Sequence, residues 1–211
     1  LLHLPAELRL RIYDFLPDLW PGRHEVVGGS INITPPICRT CTLLRTETVP
    51  VFAGNAHFAI QAARPDIETT VRRWLCEIGP AGVKKLQSLQ WRCHWNLAMP
   101  TRGEGHVGFY LRLERTAEDQ WLCATGTSPI ARDSRGMRLE SVELLRDTAK
   151  QHLGSTMLTR KHHHLTAPDI LRMLEAVRIV ADHPMPAFDP DRSDLARQCR
   201  HDIWSSMERE L

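Results

Sequence analysis

The chain has 211 residues, 27 Lys plus Arg against 25 Asp plus Glu, a formal charge of +2, with 42% apolar and 25% charged residues. That balance excludes intrinsic disorder as the default reading, and so small a charge gives no global electrostatic case for a nucleic-acid or membrane partner. No apolar run approaches the roughly 18–20 residues of a membrane span, and the length suits one large domain or one domain with an appendage.

Residues 4–16 read as a helix. Pro5 suits the first helical position, where a missing N–H costs nothing. Leu8, Ile12 and Phe15 fall at i, i+4 and i+7 on one apolar stripe, with Glu7, Arg9, Arg11 and Asp14 on the other side. Pro17 and Pro21-Gly22 end the element. Residues 26–33 hold Gly28-Gly29 among β-branched residues, which predicts a short hairpin or an irregular strand.

A second helix is predicted over 37–52. Cys41, Leu44, Thr48 and Phe52 share a face, and Pro50 should kink or end its last turn. Gly54-Asn55 is a stop, and 57–62 alternates as a strand. The third helix carries the clearest pattern: Ile67, Val71, Trp74, Leu75 and Ile78 form its stripe, Asp66 offers an N-cap, and Gly79-Pro80 terminates it. Residues 86–95 read as a strand. Gly103 and Gly105 open a hairpin in which Val107, Phe109, Leu111 and Leu113 alternate with polar positions. Trp121, Cys123 and Thr125 alternate back, a half-buried antiparallel pair.

The remainder reads as helical. Val142, Leu145, Ala149 and Leu153 form one stripe. Thr166, with Pro168 at the first position and Asp169 three residues on, is a capping-box variant ahead of Ile170, Leu171, Leu174, Val177 and Ala181. Ser193 can cap a last helix bearing Leu195, Cys199, Ile203 and Met207. The expected fold is α+β: a small mixed, mainly antiparallel sheet, helices packed mainly on one face, and a helical C-terminal third. Two regions are expected, an α+β region over 1–126 and a helical region over 127–211 packed on the same core.

The run Leu2-His3-Leu4-Pro5-Ala6-Glu7-Leu8-Arg9-Leu10-Arg11-Ile12-Tyr13-Asp14-Phe15-Leu16 resembles the opening of an F-box, which begins Leu-Pro-x-Glu-Leu and continues into an Ile-centred helix. The run from Cys41 through Arg45 and Glu47 to Phe52 resembles the second signature of degenerate F-box-like proteins of filamentous fungi. Trp74-Leu75 and Ile78-Gly79 ahead of Leu86-Gln87-Ser88-Leu89 are a third echo. The likeness covers about residues 1–95.

The resemblance implies a non-catalytic protein-interaction module, a substrate receptor of a ubiquitin ligase in the cytoplasm or nucleus, with a Skp-type adaptor as partner. Helix-in-groove binding needs two or three exposed apolar anchors on an otherwise polar helix, and the candidates are Leu4, Pro5, Leu8 and Ile12. The competing reading packs these residues onto the helix that starts at Cys41. It is the favoured one, because residues 17–36 separate two helices that an F-box keeps adjacent. Arg45 and Glu47 read either as a partner-facing pair or as a semi-buried salt bridge between helix and sheet.

Other chemistry is weaker. Cys38-x-x-Cys41 invites zinc with His162-His163-His164 or with Cys199 and His201, but the second ligand pair is ill-defined and distant. The tract Arg160-Lys161-His162-His163-His164 and the nearby Arg132, Arg135 and Arg138 suggest a basic surface, yet Asp133, Glu140, Glu143 and Asp147 interleave with them. Gly103-x-Gly105-x-x-Gly108 precedes a strand, so it lacks the helix N-terminus that a dinucleotide fingerprint needs. No nucleophile elbow, His-Glu-x-x-His helix or phosphate loop occurs. No catalytic residue, metal or cofactor is therefore expected. The alternatives are a small enzyme or ligand-binding domain with a pocket on the sheet, and a nucleic-acid-associated protein. The six cysteines lie mostly in apolar patterns and predict reduced thiols inside the cell.

Overall fold

The computed structural model describes residues 1–22, 24–28, 33–99, 103–118, 120–127, 147 and 164–182. Its elements run α1 (Ala6–Tyr13), a 3-10 turn (Pro17–Leu19), β1 (His24–Val27), a second 3-10 turn (Pro36–Arg39), α2 (Thr42–Asn55) and β2 (His57–Gln61). They continue with α3 (Ile67–Val83), β3 (Ser88–Met99), β4 (Gly103–Arg115), β5 (Trp121–Thr127) and α4 (Ala167–Asp182). The strands form one sheet in the order β1-β2-β3-β4-β5. β1 pairs parallel with β2 and β2 with β3, whereas β3–β4 and β4–β5 are antiparallel. Parallel neighbours need crossover connections, and α2 and α3 provide them. The fold is α+β with a mixed sheet, and the long antiparallel ladders make up most of its pairing.

Alternation along the strands sorts the sheet into two faces. Phe58 and Ile60 of β2, Leu89 and Trp91 of β3, and Leu111 and Leu113 of β4 share one face through the register and are buried. That face meets the helices. Phe52 of α2 stands edge-on to Phe58 at 5.7 Å between ring centres, and Trp74 of α3 lies 4.9 Å from the same ring. The opposite face carries Gln90, Arg92, Tyr110, Arg112 and Glu114, among which Arg112 is ion-paired with Glu114. α4 packs on β3 and α3 and buries Ile170, Met173, Leu174, Val177 and Val180. Its start has the expected polar frame. The Asp169 carboxylate accepts from the Thr166 backbone N–H at 2.8 Å and from the Thr166 hydroxyl at 2.6 Å.

Several boundaries differ from the sequence reading. Of the hairpin or irregular strand expected over 26–33, the described part is the end of β1, a strand that starts at His24 and pairs in parallel with β2 across the α2 crossover, and residues 29–32 lie outside the described residues. The predicted helix over 37–52 is a 3-10 turn followed by α2, and Cys41 takes the extended N-cap position rather than the buried face. Pro50 lies inside α2, which runs on to Asn55. Its missing N–H removes one helical bond, and burial of Val49, Phe52 and Ala53 offsets that loss. Asp66 makes no side-chain capping bond. Gly79 breaks α3 at φ 62°, ψ 176°, a left-handed φ that suits glycine ahead of Pro80, and a further turn runs to Val83. The stripe from Val142 to Leu153, save the single position Asp147, and the helix expected after Ser193 lie outside the described residues.

Candidate partner-binding surface

α1 is short, and its first turn is held by the Leu8 and Arg9 amides donating to the Pro5 carbonyl. Two stripes at i, i+4 spacing compete for its inner face. Leu8 and Ile12 form one; Arg9 and Tyr13, about 100° around the helix, form the other. The structure turns the second inward. Arg9 is 8% exposed and Tyr13 fully buried, while Leu8 is 47%, Ile12 36% and Phe15 84% exposed. Leu1, Leu2, Leu4 and Leu10 are exposed as well, and Pro5 with them. The favoured expectation that Leu4, Pro5, Leu8 and Ile12 pack onto the second helix is therefore overturned.

Glu47 of α2 is the reason. Its carboxylate accepts from Arg9 at two points, Nε to Oε2 at 3.0 Å and Nη2 to Oε1 at 2.5 Å, and from the Tyr13 hydroxyl at 2.7 Å. Arg9 also donates to the Leu4 carbonyl, which ties the preceding residues to the same clamp. A bidentate charged pair fixes direction as well as distance, so α1 is orientated by polar bonds and keeps its apolar stripe outside. The Arg9 and Tyr13 hydrogen bonds hold the Glu47 carboxyl down to about 2. Burial, reinforced by the bond to Glu47, pushes the Tyr13 hydroxyl up to about 12.

Arg45 and Glu47 do not pair with each other. Glu47 fastens α1 to α2, and Arg45 donates to the Glu77 carbonyl at 2.5 Å, fastening α2 to α3. The sequence reading missed Arg9 and Tyr13 as inward groups. The signal was present: an Arg and a Tyr at i, i+4 opposite a Glu in the next helix.

The remaining candidates are scattered. Cys38 is buried and accepts a 3.2 Å bond from the Thr48 hydroxyl, whereas Cys41 is exposed. Burial raises the Cys38 pKa, and it pushes the Cys93 thiol up to about 11. Among the described residues no three His, Cys, Asp or Glu side chains converge as a metal site would require. His164 meets Arg115, with 3.1 Å between Nδ1 and Nη2. The other histidines of that tract and the three nearby arginines lie outside the described residues. No described helix is long and apolar enough to cross a membrane. No protein-family model, no curated protein and no solved structure matches the chain.

Proposed function

We propose that the chain is a non-catalytic, F-box-like interaction module that docks a Skp-type adaptor through the outward stripe of α1, with Leu4, Pro5, Leu8 and Ile12 as anchors. One observation carries the reading: a helix whose Arg9 and Tyr13 are buried and whose leucines and isoleucine face solvent. Leaving a large apolar side chain in water forgoes about 1.5–3 kcal/mol of burial, so a row of them on a fixed helix suits a surface that is covered in a complex. The segment between α1 and α2 contains β1, so the anchors sit on a helix held by Glu47 of α2 and separated from α2 by a strand, not on two consecutive helices.

The test is isothermal titration of the full chain with a purified Skp-type adaptor. Wild type should bind, and Leu8→Lys or Ile12→Lys should each weaken binding at least about tenfold, the loss of one buried anchor. No binding by wild type, or binding that both variants retain, would reject the adaptor reading.

An adaptor of this kind operates inside the cell, where thiols stay reduced. The five described cysteines, Cys38, Cys41, Cys76, Cys93 and Cys123, are unbridged. Thiol titration after denaturation should count six free groups. Two or more bridges would argue for an oxidising compartment and against a ubiquitin-ligase role.

A further inference from the structure

A cavity of about 630 Å³ opens beside the 3-10 turn that follows α1. Pro17 and Pro21 form one part of its wall, Pro35 and Pro36 another, and Asp18, Glu25 and Arg39 stand around it. A proline has no N–H, and an ionised carboxylate only accepts. The two carboxylates add acceptors to this wall, and its side-chain donors are the Arg39 guanidinium and the Thr34 hydroxyl. Asp18 and Glu25 form no ion pair among the described residues, and neither does Arg39, so two carboxylates face one guanidinium with their charge uncommitted. Thr34 also lines the cavity. It is only 3% exposed, yet its hydroxyl makes no hydrogen bond among the described residues. The hydroxyl is not sealed off from the cavity, so a bound group can reach it.

We propose that this cavity receives a basic side chain, lysine or arginine, from an extended segment of a protein partner. An ammonium or guanidinium meets Asp18 and Glu25 with opposite charge, and the two carboxylates outnumber the one guanidinium of Arg39. The aliphatic stem of the same side chain lies against the proline rings. Thr34 accepts from the bound group or from the adjoining peptide N–H, and Arg39 donates to a carbonyl of the partner's backbone. None of the cavity residues belongs to the α1 stripe, so this site stands or falls independently of adaptor docking.

The experiment uses fluorescein-labelled peptides of sequence Ala-Leu-X-Leu-Ala, with X as Arg, Lys, Gln or Glu, and fluorescence anisotropy with the full chain. The Arg and Lys peptides should bind at least about tenfold more tightly than the Gln and Glu peptides. Asp18→Asn with Glu25→Gln should abolish that preference, and Thr34→Val should weaken the Arg peptide. Asp18 and Glu25 hold no other element in place, so the double variant should melt with wild type. Should it melt early, the salt dependence of wild-type binding decides: a Kd for the Arg peptide that rises with salt supports the site, and one that does not overturns it. Equal binding of all four peptides, binding of none, or an unchanged preference in a folded double variant also overturns it.

Discussion

Trp74→Ala should lower stability by about 3–5 kcal/mol, the range for large aromatic truncations in a core. Trp74 is buried between α3 and the sheet and touches Phe58, which in turn touches Phe52, so Trp74 is one end of a row of three rings that links α3, β2 and α2. Removing it leaves a cavity at the junction of three elements that cannot collapse without moving a helix. In a chain of this length the melting temperature should fall by about 6–20 °C. The indole offers a control. Its Nε1 is buried with no hydrogen-bond partner among the described residues. Trp74→Phe loses volume but also removes that unpaired donor, whose burial costs about 1–3 kcal/mol. It should therefore cost well under half of what Trp74→Ala costs. Thermal melts of the two variants check both figures, and a loss below about 1 kcal/mol for Trp74→Ala would show that α3 does not pack as described.

The second large effect centres on Glu47. Its carboxyl is held down to about 2 in the folded chain, against about 4.5 ordinarily, so its contribution is fully present above about pH 4.5 and is lost as pH falls toward 2. Tyr13 works in the opposite sense. Its hydroxyl is raised to about 12 from 10.0, so its contribution is present below about pH 10 and lost as pH rises toward 12. Wild type should therefore lose stability in both windows through a single cluster. Glu47→Gln should flatten the acid limb and lower the melting temperature near neutral pH, because Arg9 and the Tyr13 hydroxyl lose their shared charged acceptor. Tyr13→Phe should flatten the alkaline limb and, because the Tyr13 hydroxyl also helps hold the Glu47 carboxyl down, flatten the acid limb in part. Melting curves from pH 2 to 12 read all of this, and a Glu47→Gln variant with the acid limb of wild type would show that the clamp does not hold α1.

Where the sequence was legible, the reason is periodicity in buried elements. The stripe from Ile67 to Ile78 became a buried helix face, and the alternation through Phe109, Leu111 and Leu113 became the apolar side of β4. Thr166 and Asp169 announced the start of α4 by their spacing. Topology was not legible in the same way. Val26 and Val27 pair with Ala59 and Ile60 across more than thirty residues, and no local pattern encodes a parallel partner. The α1 stripe failed for a different reason. Apolar periodicity names the face that water disfavours, and here a bidentate Arg9–Glu47 pair with Tyr13 overrides it. Such a conflict between local pattern and tertiary placement is expected at sites kept for function. The motif that carried the F-box resemblance and the element that broke the periodicity rule are the same eight-residue helix.

Whether the stripe of α1 truly faces solvent is tested most directly by the melting curve of the double variant Leu8→Lys/Ile12→Lys. Lysine is a good helix former, and the favourable placement of a cation at Ile12 in the last turn of α1 offsets the unfavourable one at Leu8 in the first turn, so the variant changes the exposed face with little net effect on the helix. An outward stripe predicts a midpoint within about 2–4 °C of wild type, as surface substitutions give. Two lysines forced into a core would bury unpaired charge, and a chain that unfolds under the conditions where wild type is native would contradict the placement of α1 and the docking surface built on it.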